Sequence, residues 1–135
     1  MKIVICIDFS TFTEKMLSTA LPIINSFREP DISVVHVIDE SSYFAATGAE
    51  MQLSEGLDNE NRQLREMVEI YLGKNIHYIE ESGIPRLKID EILDTLNYDL
   101  LIIGSHSTHG LGSRLMGGMA EHLLHRSQKP VLFIP

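Results

Sequence analysis

The residues best suited to chemistry cluster late in the chain, where Gly104-Ser-His-Ser-Thr-His-Gly-Leu-Gly112 is followed by Gly117-Gly118 and the run Met119–Arg126. A loop of small residues exposes backbone N–H groups. A helix that starts straight after it adds unpaired first-turn donors at the positive end of its dipole. The chemistry on offer is anion binding, with phosphate as the first candidate. Asp8, at the end of the apolar run Ile3–Ile7, supplies a second polar group. A carboxylate there either accepts from a ribose hydroxyl or an adenine amine, or caps the helix that follows.

The histidines offer a different chemistry. His106 with His109, and His122 with His125, are two His-x-x-His pairs, and the second places two rings on one helical face. Such a pair binds zinc or nickel weakly. No Cys or acidic residue is spaced to complete either pair, so no metal site is expected, and His36 and His77 are expected to be packed within strands. No nucleophile is paired to a base, and no carboxylates are spaced to hold a catalytic metal. Dedicated catalysis is not expected; slow phosphoanhydride hydrolysis is the most the residues suggest. Cys6, inside an apolar run, reads as an inert core thiol.

Five apolar runs must position these groups: Ile3–Ile7, Ile32–Ile38, Ile76–Ile79, Leu100–Ile103 and Val131–Ile134. They are rich in branched residues and bounded by turn or charged residues, as strands are. Between them the period becomes helical. Met16, Leu17, Ala20, Leu21 and Ile24 share one face, opened by a capping box from Thr11 to Glu14. Leu57, Leu64, Met67, Val68, Tyr71 and Leu72 mark a second helix, ended by Gly73. Ile89, Ile92, Leu93 and Leu96 mark a third after Pro85, and Met119–Arg126 a fourth.

Alternating strands and helices predict an α/β fold, a doubly wound parallel sheet with helices on both faces and right-handed crossovers. The first, second and fourth strands read as buried on both faces. The connection from Asp39 to about Gly56, with Tyr43 and Phe44, is the one long segment without a clear period. In such a sheet ligands bind outside the carboxyl ends of the strands, where the strand order reverses. Asp8, Val37–Asp39 and Gly104–His106 would meet there, with an adenosine in the crevice and its phosphates along the 104–118 loop.

A chain of 135 residues is expected to form a single domain, residues 1–135. Its formal net charge of −8, with the basic residues scattered, argues against nucleic acid as a partner. No apolar run approaches the ~18 residues of a membrane span, and the N-terminal run is too short for a signal peptide. The expectation is a cytoplasmic protein.

Five segments together resemble the universal stress protein A family: Ile-Asp-Phe-Ser at 7–10, Val-Val-His-Val-Ile-Asp at 34–39, Gly-Ile-Pro at 83–85, Asp99-Leu-Leu-Ile-Ile-Gly-Ser-His106 and Lys129-Pro-Val-Leu-Phe-Ile-Pro135. The resemblance implies a five-stranded parallel sheet in the order 3-2-1-4-5 and a homodimer through the last strand. It also implies a role in stress tolerance and, in one branch, ATP or another adenine nucleotide as ligand, with magnesium as a candidate companion. By similarity Ile7 and Asp8 fall at the adenine and ribose end, Val37 at a backbone contact to adenine, and Ile103 against the base. Gly104, His106, Ser107, Gly117, Gly118 and Met119 would line the phosphates.

The motif of the nucleotide-binding branch is Gly, two residues, Gly, nine residues, Gly, then Ser or Thr. This chain departs from it at Ser107 and Gly118. Ser107 costs ~1–2 kcal/mol if the position is left-handed. Gly118 loses a phosphate hydrogen bond of roughly 1.5–3 kcal/mol. Together they predict binding weakened about 10²-fold unless Ser107, Ser113 or Arg114 supplies a replacement contact. The alternative is a dimeric signalling or interaction module of the same family that binds no nucleotide.

Overall fold

The computed structural model describes residues 1–8, 10–39, 50–105 and 118–135, the side chains of 50–57 excepted. Strand β1 is Lys2–Ile7, followed by α1 (Thr11–Ile24), β2 (Asp31–Ile38), α2 (Glu50–Leu72), β3 (His77–Ser82), α3 (Pro85–Thr95), β4 (Leu100–Gly104), α4 (Gly118–Arg126) and β5 (Val131–Ile134). All neighbouring strands run parallel, in the order β3-β2-β1-β4-β5. Ile3 of β1 stands beside Ile32 on one side and Leu100 on the other, so strand order reverses at β1 and opens a crevice beyond its carboxyl end.

The two-residue repeat of the strands divides the core into two layers. Ile3, Ile5, Val34 and Ile102 face α1 and α2, where they meet Met16, Leu17, Ala20, Leu64 and Val68. Val4, Val35, Leu101 and Ile103 face the other way, against Ile89, Ile92 and Leu93 of α3 and Ala120 and Leu123 of α4. Each such side chain contributes roughly 1.5–3 kcal/mol by leaving water. The near-continuous burial of β1, β2 and β4 follows from helices covering both faces.

Several local expectations hold. Gly73 closes α2 at φ 80°, its N–H bonded to the Glu69 carbonyl at 2.9 Å. Pro85 begins α3 at the first helical position, where its missing N–H costs nothing.

Others do not. The Thr11–Glu14 capping box is absent: Ser10 is the N-cap residue of α1 and makes no side-chain cap bond. Glu14 instead accepts a 2.8 Å hydrogen bond from the Tyr71 hydroxyl of α2, a tertiary partner that outcompetes the local one. Helix α2 begins at Glu50, so 50–56 of the aperiodic connection is helical. Tyr43 and Phe44 lie outside the described residues. Strand β3 runs His77–Ser82 rather than Ile76–Ile79, because the backbone ladder to β2 continues past the apolar run.

Candidate functional site

The carboxyl ends of β1 and β4 bring Ile7, Asp8, Ile103 and Gly104 to the crevice. Ile7 and Ile103 are buried on opposite faces of the sheet. Asp8 follows β1 directly, and its Oδ1 accepts from Ser10 Oγ at 2.6 Å and lies 3.1 Å from Thr13 Oγ1. Thr13 Oγ1 also donates to the Asp8 carbonyl at 2.7 Å. Of the two sequence readings of Asp8, helix capping is therefore overturned, since Ser10 holds the cap position. The two hydroxyls orient an acceptor at the mouth of the crevice.

Gly104 is required by packing. A Cβ there would lie 2.6 Å from Phe12 Cε1 and 3.0 Å from Met16 Sδ, so α1 lies flush on the end of β4. Just beyond, the Ser105 N–H is bonded to the Ile134 carbonyl at 2.9 Å. Val37 is half-buried near the end of β2, and the adjacent Ile38 carbonyl is taken by the Gly83 N–H at 3.0 Å. Gly118 and Met119 open α4, with Met119 packed on the second core layer. His106, Ser107 and Gly117 lie outside the described residues, as do Ser113 and Arg114.

Arg86, in the first turn of α3, was not singled out by its sequence position. Its Nη2 lies 2.7 Å from where a Cβ on residue 118 would be. This approach is the first rung of a regular ladder between α3 and α4. One turn on, His122 Nε2 lies 2.9 and 3.1 Å from the two Asp90 oxygens. Arg126 then reaches Asp90 at 3.0 Å and both oxygens of Asp94 at 2.8 and 2.9 Å. The rungs join residues 32 apart in sequence, with the Arg126–Asp90 cross-contact 36 apart, so only the packing of two crossover helices reveals them.

The remaining histidines separate. His125 points toward Glu121 at 3.9 Å while His122 engages Asp90, so the second His-x-x-His pair does not converge. Among the described residues no group of three His, Cys, Asp or Glu side chains is placed to hold a metal. His77 is exposed beside Asp31 at the start of β3, not packed within the strand. His36 is buried as expected; its Nδ1 lies 3.9 Å from Glu80 Oε2 and has no hydrogen-bond partner among the described residues. Burial pulls its pKa below the ordinary imidazole value, an effect the Asp8 charge partly opposes. Burial pushes the Cys6 thiol up to about 12, which keeps it protonated and unreactive.

A cleft of about 550 Å³ lies at the opposite end of the sheet, before β4 and β5, lined by residues that include Leu96, Tyr98, Arg126 and Lys129. Arg126 there is already committed to Asp90 and Asp94, and the cleft contains none of the residues gathered at the switch point. Among the described residues no helix is long and apolar enough to cross a membrane.

The comparisons with known proteins agree with this geometry. The model of the universal stress protein family matches residues 1–135. Universal stress protein A homolog 1 of Coxiella burnetii is 28% identical, over 98% of this chain and 94% of the relative. The solved structure of MJ0577, a universal stress protein of Methanocaldococcus jannaschii, superposes with a TM-score of 0.82 at 29% identity, covering 98% of this chain and 94% of that one. A universal stress protein solved in complex with cAMP shares the fold, with a TM-score of 0.67 at 17% identity over 99% of this chain and 95% of that one. Sheet order, helix placement and the full-length match lead to one conclusion: the chain belongs to the universal stress protein family.

Proposed function

We propose that this chain is a stress-response protein that binds an adenine nucleotide in the crevice beyond β1 and β4. The reading is supported by what lies at the carboxyl ends of β1 and β4, where strand order reverses: an oriented Asp8 carboxylate and the apolar ends Ile7 and Ile103, with the α4 N-terminus at Gly118 and Met119 following β4 in the chain. These residues suit the ligand chemically. The apolar ends offer a surface to a base, Asp8 an acceptor for a hydroxyl or amine, and the helix terminus N–H donors for phosphate. The cAMP complex of a fold relative supports a nucleotide as the ligand class.

The test is calorimetric titration of nucleotide-stripped protein with ATP, with and without magnesium. Low-micromolar binding is the expected result. No heat at millimolar ATP overturns the reading and leaves the second one, a module acting through protein partners. Two observations favour that alternative: Gly104 is accounted for by Phe12 and Met16 alone, and residue 118 has no hydroxyl.

The working form is proposed to be a homodimer paired through β5. That strand is one edge of the sheet and carries half-buried Val131, Leu132 and Phe133, whereas the opposite edge, β3, exposes Glu80, Glu81 and Ser82. Charged edges resist pairing and apolar ones invite it. Light scattering after size-exclusion chromatography should report twice the chain mass; a monomer at micromolar concentration contradicts the dimer.

A further inference from the structure

We propose that Arg86 is the phosphate-reading residue of this site: its guanidinium stands where the side chain of residue 118 would be and selects adenosine di- and triphosphates over ligands with less charge. The inference rests on the nucleotide reading above and adds to it a residue and a ligand preference. Three observations support it. Arg86 Nη2 fills the space beside Gly118, 2.7 Å from the missing Cβ, so a guanidinium replaces the hydroxyl that the family motif places there.

The second observation is the break in the ladder. At the next two rungs the acidic residue of α3, Asp90 or Asp94, meets His122 or Arg126 of α4. At the first rung the charge on α3 is positive and α4 offers no side chain. Asp90, four residues along from Arg86, is occupied by His122 and Arg126, and among the described residues Arg86 makes no hydrogen bond or ion pair.

The third is the field around it. Arg86 sits in the first turn of α3, which contains no acidic residue, and beside the first residue of α4. Two positive helix ends and a guanidinium meet at one place; the acidic residue of the first turn of α4, Glu121, lies 3.9 Å from His125 further along that helix, and an anion between the helix ends would be favoured by the charge around it. A multiply charged polyphosphate answers that field better than a single negative charge. The guanidinium also forms two parallel hydrogen bonds to phosphate oxygens, which a serine hydroxyl cannot do.

The experiment titrates wild type, Arg86→Met, Arg86→Lys and Gly118→Ser with ATP, AMP and adenosine, each variant first shown by its far-UV spectrum and melting curve to be folded. Arg86→Met is expected to weaken ATP about tenfold to a hundredfold. It should weaken AMP less and leave adenosine unchanged, while Arg86→Lys recovers part of the loss. In the Gly118→Ser background, where the new side chain displaces the guanidinium, Arg86→Met should change ATP affinity less than it does alone. If wild type binds ATP and Arg86→Met binds it equally well, or loses ATP and adenosine alike, the inference falls and the nucleotide reading stands. If wild type binds no adenine nucleotide, both fall.

Discussion

The amino and carboxyl ends of the sheet differ in how α3 meets α4: side chains pair at the amino end and not at the carboxyl end. At the amino end Asp99 accepts from the Lys2 N–H at 2.8 Å, Asp31 meets His77 at 3.4 Å, and Asp94 holds Arg126 at 2.8 Å, while the buried Tyr78 hydroxyl near the start of β3 has no hydrogen-bond partner among the described residues. At the carboxyl end Arg86 faces a glycine, and His36 Nδ1, though buried, has no hydrogen-bond partner among the described residues. Helices α3 and α4 span both ends, and their ladder changes character along its length from paired to unpaired. The unmatched Arg86 lies at the end where the nucleotide is proposed to bind, and the paired rungs join the two helices toward the other end.

The strongest way to break this comparison is Gly104→Val, since Gly104 lies at the carboxyl end yet is fixed by packing. Its side chain would collide with Phe12 and Met16, and urea unfolding should show a loss of about 2 kcal/mol. Next comes the paired part of the ladder. Asp90→Ala removes the shared partner of His122 and Arg126, and a loss of about 1–2 kcal/mol is expected in the same assay. Asp94, whose side chain is 65% exposed, should cost only about 0.5 kcal/mol when replaced by Ala. Equal losses at the two positions would contradict the gradient.

His36 sharpens the comparison through pH. Its folded pKa is lowered by burial, so below the ordinary imidazole value of 6.5 the unfolded chain binds more protons than the folded one. The stability contributed by its neutral form is complete above that value. It is lost as pH falls toward the lowered folded pKa, with a slope of at most about 1.4 kcal/mol per pH unit for one group. Melting curves from pH 7 to pH 5 should fall less steeply in His36→Leu than in wild type (pH values chosen to bracket that ordinary value). The smallest expected effect is that of Arg86→Met on stability, within about 0.5 kcal/mol, because the side chain is exposed and unpaired among the described residues. A large loss there would mark Arg86 as part of the scaffold.

Much of the fold was legible in the residue order. The apolar runs at 3–7, 32–38, 100–103 and 131–134 became strands, and the helical faces of α1, α2 and α3 packed as their periods implied. The site was legible in part. Asp8, Ile7, Ile103 and Gly104 do come together, because loops at the carboxyl ends of parallel strands must gather there. The partner of Gly118 was not legible. Arg86, which approaches it, lies 32 residues away on another helix, while Ser107, Ser113 and Arg114, the replacement contacts the sequence suggested, lie outside the described residues.

The sequence by itself determined the alternation of strand and helix, the faces that leave water, the helix stop at Gly73 and the helix start at Pro85. These follow from backbone sterics and local hydrophobic period, which act over a few residues. Tertiary structure decided that Glu14 serves Tyr71 rather than a capping box. It also decided that Phe12 forbids a side chain at Gly104 and that Arg86 occupies the space beside Gly118. Such pairings depend on how crossover helices dock on the sheet, and a short-range pattern does not encode the offset between elements that meet only after folding.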